Sequence, residues 1–242
     1  MNEQLQLAVV VPAYNEAATI RDVAGRALQQ AALVIVVDDG SSDGTARRLE
    51  GLGAVVLRSE VNQGKAASLR RGADEAMRLG ASVIVTLDGD GQHCPEDIPA
   101  LMRAWHTAPG RIVIGSRLHA REEIPPARYW ANRVANFWIG LAAGHPIADS
   151  QSGFRIYPAR IFREARVCYD RRSSFVFESE VLIEAARLGI TTHCVPVQVV
   201  YSGRARASHF RPVVDIARIV RMVAWRLIAQ GFAERAAALR RV

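Results

Sequence analysis

The sequence predicts an α/β fold in which a mostly parallel central sheet is covered by helices on both faces. Two observations carry that expectation. Short β-branched runs alternate with longer helical patterns through the first half of the chain. Those runs are apolar without interruption, as in strands buried on both sides rather than half-exposed ones. At 242 residues, half of them hydrophobic, the chain is long enough to bury such a core.

In order, the strand candidates are Leu7–Val11, Leu33–Val37, Ala54–Leu57, Val83–Leu87 and Arg111–Ile114. Between them, Glu16–Ala31, Asp43–Leu52, Lys65–Leu79 and Glu96–Trp105 have helical spacing. The second half changes character. A polar loop, Ser116–Pro125, leads to an aromatic-rich helix, Pro126–Ala142, and then to a turn at Gly144–Gly153. A strand at Phe154–Tyr157, a helix at Phe177–Leu188 and a strand at Thr192–Val199 follow. A basic loop, Tyr201–Arg211, precedes a long apolar helix from Pro212 to about Ala229 and a basic end. This divides the chain into a main α/β domain, residues 1–210, and an amphipathic helical appendage, residues 211–242.

Formal net charge is +7. Such a surface attracts polyanions, and charge alone does not choose among nucleic acid, anionic lipid and phosphorylated substrate. No nucleic-acid-binding motif is present, so nucleic acid is not an expected partner. Three scattered cysteines, Cys94, Cys168 and Cys194, suit a reducing compartment and small buried apolar positions. The N-terminus lacks the basic and apolar regions of a signal peptide, and no stretch reaches the roughly 18 apolar residues of a membrane span. The expected location is the cytoplasm, peripheral on the cytosolic face of a membrane.

Ligands of parallel sheets bind beyond the C-terminal strand ends. The first strand ends in Val11-Pro12-Ala13-Tyr14-Asn15-Glu16, not in a dinucleotide-binding GxGxxG. The second ends in Asp38-Asp39-Gly40-Ser41-Ser42-Asp43-Gly44-Thr45, without the GK[ST] of a P-loop. Its carboxylates could accept hydrogen bonds from a base or ribose, or could form a Gly/Asp turn that caps the next helix. The fourth ends in Asp88-Gly89-Asp90-Gly91-Gln92-His93. In extended backbone Asp88, Asp90 and Gln92 project from one face. Hard oxygen donors in that number suit Mg²⁺ or Mn²⁺ shared with a diphosphate. His93 reads as a structural neighbour.

Taken together with Asn62-Gln63-Gly64-Lys65, these segments occur one per strand end and in order. Over about residues 5–210 the chain resembles the family 2 inverting glycosyltransferases, most closely the polyprenyl-phosphate glycosyltransferases such as dolichyl-phosphate mannose synthase. The resemblance implies a GT-A fold and a nucleotide-diphosphate sugar as donor. It implies a nucleoside pocket lined by Pro12, Tyr14, Glu16 and Asp39, and a metal and diphosphate site at Asp88, Gly89, Asp90 and Gln92. Arg117 matches a family arginine near the reacting phosphates, and Asp149-Ser150-Gln151-Ser152-Gly153-Phe154-Arg155 matches a D-x-x-x-G-F-R segment. Glu178 and Glu180 open the following acidic helix. Arg204, Arg206 and Ser208 match a basic loop over the donor. Asn132 departs from the family pattern, which often has serine there, and the membrane spans of many members are lacking.

The chemistry fits these groups. A departing nucleoside diphosphate gains negative charge, which a divalent ion and arginines offset. A polyprenyl phosphate acceptor, with a second pKa of about 6, is already largely a dianion and needs no base. Arg128, Asn132 and Asn136 recur every four residues and form a polar stripe for that phosphate. Trp130, Val134, Phe137, Trp138 and Leu141 flank it, for a lipid tail or for the core. The expected catalytic residues are Asp90, Arg117 and Asp149, with Asp149 foremost a sugar-hydroxyl binder. The competing reading is a glycan or other hydroxyl acceptor with Asp149 or Glu180 as base. A non-catalytic scaffold is disfavoured by the intact Asp88, Asp90 and Gln92. The helix after Pro212 either docks on the domain or lies on an anionic membrane surface.

Overall fold

A computed structural model describes residues 6–119, 122, 124, 126–167, 169, 176–198, 220–221, 223–224 and 228, and of 127 and 128 the backbone alone. Among the described residues, seven strands form one sheet: β1 (Leu7–Ala13), β2 (Leu33–Asp38), β3 (Val55–Arg58), β4 (Val83–Thr86), β5 (Ile112–Ser116), β6 (Arg155–Pro158) and β7 (Thr192–Pro196). Their spatial order is β3-β2-β1-β4-β6-β5-β7. Every pairing is parallel except those of β6, which runs antiparallel between β4 and β5. The sheet is therefore mostly parallel, as expected, with one reversed strand.

The helices are α1 (Ile20–Leu28), α2 (Lys65–Arg78), α3 (Ile98–Thr107), α4 (Pro126–Ala143), α5 (Ile161–Glu164) and α6 (Phe177–Arg187). Alternation along each strand sorts the core into two layers. Ala8 and Val10 face one layer with Leu69 of α2, Ile139 of α4 and Leu182 of α6. Val9 and Val11 face the other with Val23 of α1 and Leu101 of α3.

Three expectations need correction. The segment expected as a helix at Asp43–Leu52 holds only a 3-10 turn, Ala46–Leu49, because Gly44 and Gly51 on its two sides adopt φ of 89° and 74°. The first helix starts at Ile20 instead of Glu16; residues 16–19 form a turn in which the Glu16 N–H donates to Thr45 Oγ1 at 2.9 Å. The last strand stops at Pro196. The short α5 was not expected. The basic loop at Tyr201–Arg211 and most of the helix expected after Pro212 lie outside the described residues. Among the described residues no helix is long and apolar enough to cross a membrane.

Candidate active site at the strand ends

The loops after β1 and β2 are knitted together. The Asn15 N–H donates to Ser41 Oγ at 2.8 Å, and the Ser42 N–H to Asn15 Oδ1 at 2.9 Å. Asn15 takes φ 56°, a left-handed conformation that asparagine adopts more readily than most residues. This turn carries Pro12, Tyr14 and Glu16, all half-buried, at the mouth of the sheet. Asp39 is buried and accepts the Gln63 and Gly64 N–H groups, each at 2.8 Å. These two bonds tie the end of β2 to the turn that precedes α2 and hold Asp39 at the strand-end mouth. Asp38 is also buried, its Oδ1 accepting the Ser41 N–H at 3.0 Å and its Oδ2 lying 3.6 Å from Arg58 Nε. Beside it, Gly40, Ser41, Arg58, Ser59 and Glu60 line a shallow depression of about 430 Å³.

The acidic end of β4 meets the loop after β1. Thr19 Oγ1 donates to the Gly89 carbonyl at 2.6 Å. A Cβ on Gly89 would lie 3.2 Å from the Pro12 carbonyl oxygen and 3.6 Å from Glu16 Cγ, so this glycine allows the two loops to close on each other. The backbone does not stay extended through Gln92. It turns at Asp90–Gly91, with Gly91 at φ 77°, and the Gln92 N–H donates back to Asp90 Oδ1 at 3.0 Å. The juxtaposition of Asp90 and Gln92 thus comes from an Asx-type turn, not from strand alternation. Arg117, just past the end of β5, donates to Gln92 Oε1 at 3.2 Å.

Lys65, the first residue of α2, lies 2.7 Å from Asp88 Oδ1 and 2.8 Å from Glu178 Oε1 in α6. Burial alone would neutralise both partners, but the ion pair overrides it: Asp88 is held at about 2, and Lys65 is kept charged well above its usual range. Asp90 is pushed upward, first by burial and then by the Asp88 charge beside it. His93 is pushed down to about 3, mainly by burial and then by Arg117, and remains a neutral ring packed on Phe154 with centroids 5.3 Å apart. Its expected role as a structural neighbour agrees with this.

Among the described residues no three His, Cys, Asp or Glu side chains converge as a protein-only metal site requires. An ion shared with a diphosphate needs only one or two carboxylates. Asp90 fits that demand, because its proximity to Asp88 is an unfavourable charge crowding that a divalent cation relieves. The Gln92 side-chain oxygen accepts from Arg117, while its N–H donates to Asp90. Asp88, expected as a ligand, already has one oxygen on Lys65.

The segment 148–155 closes the site from the other side. Asp149 is buried, accepting from Ser116 Oγ at 3.1 Å and from the Gln151 and Ser152 N–H groups at 3.2 Å. A Cβ on Gly153 would lie 2.7 Å from Asp88 Oδ2 and 2.9 Å from Lys65 Nζ, so only glycine lets the segment rest on that ion pair. Arg155 is fully buried and donates to the carbonyls of Ser150 at 2.8 Å and Glu178 at 2.7 Å. Asn136, expected to join Arg128 and Asn132 in one polar stripe, is buried instead. It donates to the Ala148 carbonyl at 2.6 Å and accepts from Ser150 N–H and Oγ at 2.8 and 2.7 Å. Asn132 is half-buried on α4, whereas Trp130, Val134, Phe137 and Trp138 are 59%, 57%, 62% and 41% exposed. Leu141, grouped with them from the sequence, is buried in the core. The Arg128 side chain and Arg204, Arg206 and Ser208 lie outside what is described.

Lys65, Glu178, Arg155 and Asn136 hold the site together without having been given these roles from the sequence. Lys65 was visible as the end of the Asn62–Lys65 motif, and its place at the start of a helix beside an acidic strand end was the available signal.

Residues 8–166 match the family model described as Glycosyl transferase family 2. The chain is 28% identical over 237 residues to the undecaprenyl-phosphate mannosyltransferase of Micrococcus luteus, covering 93% of this chain and 96% of that protein. It is 28% identical over 218 residues to the UDP-N-acetylglucosamine–dolichyl-phosphate N-acetylglucosaminyltransferase of Methanococcus voltae, covering 80% and 85%. A similar solved structure is glucosyl-3-phosphoglycerate synthase from Mycobacterium tuberculosis in complex with Mn²⁺, UDP-glucose and phosphoglyceric acid. Its TM-score is 0.66 at 21% identity, over 93% of this chain and 79% of that one. The strand order, the acidic end of β4 and these matches agree: the chain belongs to glycosyl transferase family 2 and has a GT-A fold.

Proposed function

We propose that this glycosyltransferase moves a sugar, with inversion, from a nucleotide-diphosphate sugar to a polyprenyl phosphate at the cytosolic face of a membrane. The observation that carries the proposal is the juxtaposition at the end of β4 of Asp90, raised by burial and then by the Asp88 charge, with Gln92, Arg117 and the Lys65–Asp88 pair. Asp90 and Gln92, with Asp88, would hold Mg²⁺ or Mn²⁺ against the donor diphosphate. The ion's chemistry there is to offset charge on the departing nucleoside diphosphate. Arg117 adds a fixed cation on the same side, held in place by Gln92. The loops carrying Pro12, Tyr14 and Glu16 supply walls for the nucleoside.

The acceptor is supported by two things. Relatives named for undecaprenyl-phosphate and dolichyl-phosphate transfer cover most of this chain. The α4 helix also turns a ridge of aromatic and aliphatic side chains outward, as a lipid-contacting element requires. A phosphate dianion attacks the anomeric carbon without a base. The hydroxyl-acceptor alternative needs an available carboxylate as base; Asp149 is buried with both oxygens engaged by three donors, so that alternative would rest on Glu180. Asp149 then serves as a positioning residue for the 149–152 turn.

The test is a screen of nucleotide sugars for Mn²⁺-dependent thermal stabilisation, followed by transfer of the labelled sugar of the best binder to a polyprenyl phosphate. Label is expected in the organic phase in a mild-acid-labile form. Label appearing only in a water-soluble glycan rejects the acceptor, and no stabilisation by any nucleotide sugar rejects the donor.

A further inference from the structure

We propose that Asn136 is a positioning residue that couples α4 to the Lys65–Asp88 pair, so that nucleotide binding at the strand ends is felt by the helix assigned to the acceptor. The proposal rests on the donor and acceptor reading above. Asn136 is a buried amide on a helix whose neighbouring side chains at 130, 134, 137 and 138 are exposed. Among the described residues, the three hydrogen bonds of its side chain all go to residues 148–150. A buried amide satisfied in this way fixes its helix to one loop with a directional contact that apolar packing does not supply.

That loop is held from the other side by the donor-site residues. Arg155 donates to the Ser150 carbonyl at 2.8 Å and, through its other nitrogen, to the Glu178 carbonyl at 2.7 Å. The Glu178 carboxylate is 2.8 Å from Lys65, which is 2.7 Å from Asp88. Gly153, three residues beyond Ser150, lies against both members of that pair. Thr86, on the strand that leads to Asp88, donates to the Gly153 carbonyl at 2.7 Å. A shift of Asp88 or Lys65 when a nucleotide and its ion arrive therefore presses on the loop, and Asn136 is where α4 is attached to that loop. Spatial continuity alone does not demonstrate coupling, so the test must read coupling directly.

Hydrogen exchange of the α4 amides is measured in the full chain, with and without Mn²⁺ and UDP or GDP, whichever nucleotide stabilises the protein. In the wild type, nucleotide binding is expected to slow exchange across α4 at least threefold. In Asn136→Ala the nucleotide should still bind, within about threefold of wild-type Kd, while the change in α4 exchange disappears. Ser150→Ala, which removes one of the three bonds and leaves the backbone contact, should reduce the change by about half. Unaltered α4 exchange on nucleotide binding in the wild type, or the same response in Asn136→Ala, overturns the coupling. If Asn136→Ala is unfolded by its melting curve, the Ser150→Ala result decides alone: a full wild-type response there rejects the proposal. Failure of the wild type to bind either nucleotide rejects the functional reading itself and the coupling with it.

Discussion

A buried carboxylate beside a second carboxylate is an unfavourable arrangement, and Asp90 occupies it while the direct ion pair of Lys65 goes to Asp88. A proton and a divalent cation compete for such a group. Since the Asp90 carboxyl is raised, Mn²⁺-dependent nucleotide binding should weaken on acidification sooner than an ordinary aspartate would dictate. Calorimetric titration at descending pH reads this, and an affinity that is flat until the usual carboxylate range rejects it. Asp90→Asn should lower transfer about 100-fold, in the range found when one charge-stabilising group is removed, while shifting the melting temperature little. Near-wild-type turnover at saturating Mn²⁺ would reject Asp90 as the essential ligand. Lys65→Met leaves Asp88 and Glu178 without their cation and should cost about 1.5–3 kcal/mol of stability. Asp88 is held at about 2, so its share is present above the unfolded-state value near 4 and lost as pH falls toward 2. Lys65 is raised, so its share persists through neutral pH and is lost only above its usual range. The stability gap between wild type and Lys65→Met, from denaturant melts, should therefore close between pH 4 and 2. Asp88, Asp90 and Gln92 stood out because they follow an apolar run at a strand end, and Arg117 because it matches a family arginine; the structure brings the four to one end of the sheet. The Lys65–Glu178 contact was not, since it joins α2 to α6 and no local pattern encodes which helices meet.

Among the elements, α4 shows most clearly what periodicity can and cannot say. Its helical spacing predicted its span to within one residue. Spacing could not say that Asn136 turns inward, because that follows from the Ala148 and Ser150 backbone groups which need partners on that side. Nor could it separate Leu141, which packs in the core, from Trp130 and Phe137, which do not. Trp130→Ser combined with Phe137→Ser removes exposed apolar area only, so the fold should be unaffected. Cosedimentation with lipid vesicles should fall at least tenfold, since two aromatic side chains contribute about 1.5–3 kcal/mol each when fully buried in an apolar phase. Unchanged cosedimentation means that α4 does not touch the bilayer. The segment at 43–52 shows the opposite failure: it has helical spacing, but glycines at 44 and 51 break it into one 3-10 turn.

At the scale of the whole molecule, the net charge of +7 gives a testable consequence. The protein should bind anionic vesicles at low salt and less at 0.5 M, where screening acts within roughly 4 Å. Truncation before Pro212 should lower that binding and leave nucleotide affinity intact. No cosedimentation at low salt rejects a peripheral membrane location. The seven strands were readable because the apolar runs are separated by turns, whereas the helix expected at 43–52 and the short α5 were not read correctly. The direction of β6 was not, because Arg155–Pro158 presents the same buried run whichever way it runs. Its insertion, reversed, between β4 and β5 has a consequence during synthesis. β4 pairs with β1 as soon as it is made, but its other edge waits for β6, roughly 70 residues later. At about 5–20 residues per second that edge stays open for several seconds on the ribosome. An unpaired, largely apolar edge is a template for association with other chains. The nascent N-terminal half is thus the form of this protein most in need of a chaperone, and slowing synthesis between Thr86 and Arg155 should lower its soluble yield.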